Sequence, residues 1–386
     1  MLAASNTSSI GPSLSKVIVP SELSEIEGKL ADFPRGTFRI GLLIPMCGSA
    51  GLWAPSCISS AQVAVAQLNA KDGINGRPIE LIMIDSALEA QTPVEEVINS
   101  LIEVRAIDAI VGMHISAVRQ NLSKIVRQRV PYIYTPLYEG GENTKGIFAI
   151  GDTPDRQLGP ALEHFCNDMN IKNWALVGND YVWPRSSNTY AAEKLSQMSA
   201  RISFEKYMPF GVNDMSGLVA EIAETDAEAV LISLVGQDAI TFNRAFGEAG
   251  MHERMIRFSC AIEENGLLAS GEDNLKELYS ASSYFGALST PENENFRERY
   301  YAIHGETAPA LNSLGQSTYE GVQFLAGLMT MHKDDWSDKD SRCSGAISFD
   351  SVRRPNKAEQ PLGVAPIYLA KADGALFRII KNYNFR

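Results

Sequence analysis

Basic residues are the minority in this 386-residue chain. It has 34 lysines and arginines against 46 aspartates and glutamates, a formal net charge of -12. That balance repels a phosphate backbone, and no basic run offsets it, which argues against direct nucleic-acid binding. Cysteine is scarce: Cys47, Cys57, Cys166, Cys260 and Cys343 stand apart with no CxxC pair, so the usual zinc and iron–sulfur frameworks are absent. The odd number leaves at least one thiol unpaired. Two readings stay open: a disulfide between Cys47 and Cys57, which would point to an oxidising compartment, or free, partly buried thiols. Histidine occurs five times, at positions 114, 164, 252, 304 and 332, with no HExxH and no metal-ligand spacing. There is no GxSxG elbow, no GxGxxG after a strand and no P-loop. The sequence thus offers no catalytic constellation, no metal site and no cofactor site. No run of about 18 apolar residues reads as a membrane span. Met1–Ser15 has no cationic residue ahead of an apolar core, as an export signal requires. The expectation is a cytoplasmic protein if the chain is complete as given, and a periplasmic one if a leader was removed.

What is present is an ordinary globular composition, 45% hydrophobic and 21% charged, in a chain too long for one typical core. Residues 1–36 read as a tail with one short helical stretch, Ser21–Leu30. Strand–helix alternation follows. Apolar runs at Phe38–Pro45, Ile79–Asp85, Ala109–Val111 and Pro131–Tyr134 read as buried strands; Ile58–Asn69, Val94–Ile102 and Val118–Arg127 carry helical spacing. A second series repeats the plan past Gly151, with strands at Trp174–Gly178, Arg201–Tyr207, Ala229–Val235 and Met255–Ser259. Its helices are expected at Leu158–Met169, Ser187–Gln197, Leu218–Glu224 and Ala239–Ala249. Long helices follow at Asn295–His304 and Ser317–His332, then short antiparallel strands at Gly345–Phe349, Val364–Ala370 and Leu376–Ile380. This α/β pattern predicts two Rossmann-like lobes with parallel, doubly wound sheets. Ligands of such sheets bind at the carboxyl ends of the strands, so two facing lobes share one cleft.

The segments Ile40–Pro45, Ala64–Asn69 and Asp72–Ile79 resemble the first βαβ unit of the type I periplasmic binding proteins, the family of leucine/isoleucine/valine-binding proteins. Tyr134–Gly140 (YTPLYEG) and Asn179–Arg185 (NDYVWPR) resemble its amide- and urea-binding branch most. The resemblance runs from about Phe38 to the C-terminus. It implies a three-crossover hinge, placed near Gly151, Ser280 and Trp336. The first lobe would hold residues 37–150 and 281–335, and the second 151–280 and 336–386. It further implies that Ser116 anchors the ligand head group, that Tyr134 belongs to the pocket, and that Tyr181 closes on the ligand from the second lobe. His114 stands where the amide sensor of this branch has a Tyr, and Trp183 replaces a second Tyr. Ala117-Val118 follow Ser116 in place of the Ser/Thr run that grips amino acids in the branched-chain receptors.

Read from the residues alone, Ser49 and Trp53 belong to a strand–loop–helix junction where open sheets bind ligands, and Pro136 lies just past a strand end. Tyr181 and Trp183 alternate about Val182, so an extended loop would turn both to one side. Ser116 also suits a helix N-cap. Gln237 follows a strand of the second lobe, beside Asp238, which suits a helix cap. Glu263 and Glu264 follow another strand and are either ligand acceptors or solvated. Tyr284 sits near the second crossover, against ligand or in hinge packing. Tyr and Ser hydroxyls beside aromatic walls suit a small amide or urea, which offers a carbonyl and NH groups. The resulting expectation is a non-enzymatic receptor for a small polar solute (a short amide, urea or amino-acid-like molecule) serving an ABC permease. The alternative is a cytoplasmic sensor acting on a regulatory partner, as in the amide-sensing regulator of an amidase operon.

Overall fold

The computed structural model describes residues 36–333, 335–354 and 365–384. The expected tail, up to Arg35, and its helix at Ser21–Leu30 lie outside these residues.

FRIGLLI and IELIMID are buried almost without a break, as strands covered on both faces must be. They form β1 (Phe38–Ile44) and β2 (Ile79–Asp85), joined by α1 (Ala54–Asn69). Next come α2 (Val94–Glu103), β3 (Ala109–Gly112), α3 (Ser116–Val126), β4 (Tyr132–Tyr134) and β5 (Ile147–Ala149). The sheet order is β2-β1-β3-β4-β5, with every pairing parallel.

The chain then crosses at Ile150–Asp152 into the second lobe. There it forms α4 (Pro154–Glu163), β6 (Asn173–Asn179), α5 (Val182–Gln197), β7 (Arg201–Met208), α6 (Ser216–Ala223) and β8 (Ala229–Ser233). α7 (Gly236–Glu248), β9 (Ile256–Ser259), α8 (Glu264–Ser270) and β10 (Leu278–Ser282) complete the series. A second crossing at Ser282–Tyr284 leads back to α9 (Pro291–His304) and α10 (Ser313–Met331). α10 is buried along nearly its whole length against α1, where the Tyr319 hydroxyl donates to Gln67 Oε1 at 2.7 Å. β11 (Ile367–Asp373) and β12 (Leu376–Tyr383) finally extend the second sheet, whose order is β12-β11-β10-β9-β8-β6-β7. Its last two strands are antiparallel.

The expected strand at Gly345–Phe349 does not form. Ser341–Ala346 is a 3-10 helix, with the Asp340 carboxylate capping Arg342 N at 2.9 Å. This segment closes the open edge of the first sheet. Ser341 Oγ accepts from Ala149 N at 2.8 Å, and the Lys339 carbonyl accepts from Gly146 N at 2.7 Å. Just past Trp336, where the third crossing was expected, the chain thus still bonds the first sheet. All five cysteines are free. Cys57 is buried, which pushes its thiol up to about 12, and Cys47 Sγ lies 3.4 Å from Asp85 Oδ2. The Cys47–Cys57 disulfide is not formed.

Candidate functional site

The carboxyl ends of the parallel strands of both sheets face one gap, and between them lies a small cavity lined from both lobes. The first lobe contributes Trp53, Met113, His114, Ile115, Ser116, Tyr134, Pro136, Leu137 and Leu314. The second contributes Tyr181, Trp183, Val235 and Ala261. Trp53, His114, Ser116, Tyr134, Pro136, Tyr181 and Trp183, all singled out in the sequence, thus meet in one wall.

His114 follows β3 and is fully enclosed. Its Nδ1 lies 3.1 Å from the Ile115 carbonyl, which can only accept, so Nδ1 carries the proton. Nε2 then accepts from the Tyr132 hydroxyl at 2.8 Å. Burial holds the imidazole down to about 4, so it stays neutral. Both its nitrogens are occupied, and the ring offers the cavity a surface rather than a proton. The Tyr134 hydroxyl donates to the His114 carbonyl at 2.8 Å and lies 3.4 Å from Ser116 Oγ. Ser116 is the first residue of α3, not its cap; Ile115 holds the cap position and gives no side-chain bond. Among the described residues the first N–H groups of α3 have no side-chain partner.

Tyr181 is the N-cap residue of α5 and Trp183 lies in its first turn. The helix turn, not an extended loop, brings both rings to one side, 6.5 Å apart; Tyr181 also stacks on Phe210 at 5.3 Å. Among the described residues the Tyr181 hydroxyl has no hydrogen-bond partner. The polar groups left for a ligand are therefore uncharged: the Ser116 and Tyr181 hydroxyls, the remaining lone pair of Tyr134 and the first N–H groups of α3.

The sequence reading missed Arg119. This buried side chain lies one turn into α3, its Nη2 2.5 Å from Glu139 Oε1 and its Nη1 against Glu142. Its guanidinium lies 5.3 Å from the Tyr134 ring centre and 5.5 Å from that of Tyr138. The signal was there: Glu139 belongs to the YTPLYEG segment, and Arg119 stands three residues past Ser116, on the same helix face.

Ser49, Gln237, Glu263 and Tyr284 do not line this cavity. The Ser49 carbonyl accepts from Gln237 N at 2.8 Å and joins the lobes at the cavity rim, while the Gln237 side chain points out to Thr241 at 3.4 Å. Asp238 is buried and accepts from Asn179 Nδ2 at 2.8 Å and Val212 N at 3.0 Å. Tyr284 is fully buried and donates to Asn293 Oδ1 at 2.8 Å, as hinge packing. Glu263 caps α8 through Asn265 N at 2.8 Å. Glu264 accepts from Gly286 N at 2.7 Å with one oxygen; the other has no partner among the described residues.

Burial pushes Glu263 up to about 7 and Glu264 up to about 8. The native state therefore keeps protons that the unfolded state loses above about 4.5. Stability from these groups is full below that value and is lost as pH rises through 7 and 8. His114, held down to about 4, acts in the opposite sense, but only below about pH 6.5. The thermal midpoint is thus expected to fall from about pH 6.5 to 8. Glu264→Gln should flatten that slope; an unchanged slope in this variant would place the titration elsewhere.

Three comparisons bear on this arrangement. The family model described as periplasmic binding protein matches residues 37–374. A "Leu/Ile/Val-binding protein homolog 7" of Brucella suis is 23% identical over 310 residues, covering 74% of this chain and 75% of its own. A periplasmic binding protein from Burkholderia mallei superposes with a TM-score of 0.76 at 16% identity, covering 91% of this chain and 95% of its own. An R. palustris solute-binding protein of an ABC transporter, in complex with benzoate, gives 0.74 at 16%, covering 90% and 96%. At such identities the two solved structures speak for the fold alone.

Proposed function

Since the chain belongs to the periplasmic binding protein family, we propose that it is the non-enzymatic, solute-binding component of an ABC-type importer, and that its cavity takes a short amide or urea. The observation that carries the amide reading is the absence of charge. Among the described residues no Lys, Arg, Asp or Glu lines the cavity, His114 is neutral, and the Arg119 guanidinium beside Tyr134 is matched by two carboxylates. Leucine and benzoate, the kinds of solute that the relatives' names carry, each bring a carboxylate. Burying one without a cation costs several kcal/mol. An amide carbonyl needs less: the Ser116 hydroxyl and the open first turn of α3 donate to it. Its NH group reaches the Tyr134 lone pair, and Tyr181 meets it from the other lobe. Trp53, Trp183, Met113 and Leu314 enclose a short alkyl group. Binding groups from both lobes let the ligand draw an open–closed equilibrium toward closure.

A thermal-shift screen tests this. Acetamide, propionamide, butyramide and urea would be compared with leucine, isoleucine and benzoate. A ligand at about 100 times its dissociation constant adds roughly 2.7 kcal/mol. Stabilisation by leucine or benzoate alone would overturn the amide reading and keep solute capture. With an amide found, Tyr181→Phe should weaken it about tenfold, the cost of one hydroxyl bond left unmade. An equal affinity would remove Tyr181 from the contact.

A further inference from the structure

The three crossings between the lobes meet in one buried polar knot. Asp152 stands on the first crossing, Ser283 on the second and Arg353 on the stretch leading to the third; all three are buried. The Ser283 hydroxyl donates to Asp152 Oδ2 at 2.5 Å, and Ser283 N approaches the same oxygen at 3.3 Å. Arg353 Nη1 donates to Ser283 Oγ at 3.1 Å and lies 4.0 Å from Asp152 Oδ2. The other side of the guanidinium is held by Glu320 of α10: Nε and Nη2 donate to its Oε2 at 2.9 and 2.7 Å. Glu320 Oε1 accepts from Ser351 Oγ, Val352 N and Arg353 N. Asp152 Oδ1 receives Arg156 Nη1 at 3.3 Å, and Arg156 in turn bonds the Ala365 carbonyl, where the chain re-enters the second lobe.

We propose that this knot sets the resting angle of the hinge, and that Ser283, bridging Asp152 and Arg353, is its positioning residue. The proposal rests on the reading that the cavity works by lobe closure. Buried ion pairs tolerate little loss of geometry, because each partner depends on the others for the cost of its own desolvation. Bonds between strands that swivel against one another therefore favour one swivel angle over the rest. The knot also touches the cavity wall through the backbone: the Asp152 carbonyl accepts from Tyr138 N at 3.0 Å, and the Tyr138 ring packs edge-on to Tyr134 at 6.3 Å.

The contact between the lobes carries its own reporter, the Gln237 N–H, which bonds Ser49 across the cleft. Hydrogen–deuterium exchange of the ligand-free protein reads it without any ligand. Ser283→Ala should speed exchange of the segment holding Gln237 about three- to tenfold and leave that of β1 and β6 unchanged. Asp152→Asn should do the same or more; if it does not fold, Ser283→Ala decides alone. Unchanged exchange at Gln237 would overturn the proposal. So would a uniform rise in both lobes, which is mere destabilisation. Where the screen yields a ligand, Ser283→Ala should shift the affinities of acetamide and its larger homologues by one common factor. A changed ranking would make Ser283 part of the pocket instead. If no amide or urea binds, the ligand reading falls, and the exchange result still decides the hinge.

Discussion

Gly236→Val is expected to weaken ligand binding at least about 100-fold, equivalent to roughly 2.7 kcal/mol, with both lobes still folded. Gly236 opens α7 in the left-handed region, at φ +56°. A Cβ there would stand 2.1 Å from the Ser49 carbonyl oxygen and 3.3 Å from Ala50 Cα, both on the other lobe. The backbone strain of a side chain at this φ, about 1–2 kcal/mol, is present open or closed and cancels from the affinity. The collision exists only when the lobes meet, so it is charged wholly to closure. Titration calorimetry with the ligand from the screen measures the loss. Small-angle scattering should show a radius of gyration that no longer shrinks on addition of ligand. Gln237→Ala is the control: it keeps the backbone bond to Ser49 and removes only a side chain that reaches Thr241. If Gly236→Val binds as tightly as the parent, the Ser49–Gly236 contact is no part of the ligand-bound state.

What the sequence made legible follows from where burial is one-dimensional. FRIGLLI, IELIMID and AVLIS announce themselves because a strand covered on both faces is apolar at every position. β10 (LYSAS) is buried just as deeply but hides behind its serines, which the fold satisfies locally: Ser280 Oγ donates to the Ile262 carbonyl at 3.3 Å. β5 is three residues long and too short to show a period. Ser116, Tyr134 and Tyr181 were legible through the family resemblance; Tyr134 ends β4, and the other two lie just past β3 and β6. Gln237 follows a strand too, yet α7 turns its side chain outward and spends its N–H on Ser49. Such contacts join residues far apart in the chain, and only the angle between the lobes brings them together. The same holds for Asp152, Ser283 and Arg353.

Arg119→Met should lower stability by about 3–5 kcal/mol, the cost of leaving buried carboxylates without their cation. Glu139 and Glu142 are nearly as enclosed as Arg119 itself, with side chains 10% and 6% exposed. The loss has a second consequence. Arg119 ties the segment after β4 to α3 and lies over the rings of Tyr134 and Tyr138. Without it the wall carrying Tyr134 and Pro136 loosens, and affinity for the ligand falls as well. The argument separates charge from packing through a triple variant, Arg119→Met with Glu139→Gln and Glu142→Gln. Removing all three charges leaves no orphan, so most of the urea-denaturation midpoint should return, although the loop stays less firmly held. If the triple variant is no more stable than the single one, the single loss is one of packing, and the two carboxylates are reached by water in the native protein. The uncharged character of the cavity would then rest on His114 and the hydroxyls alone.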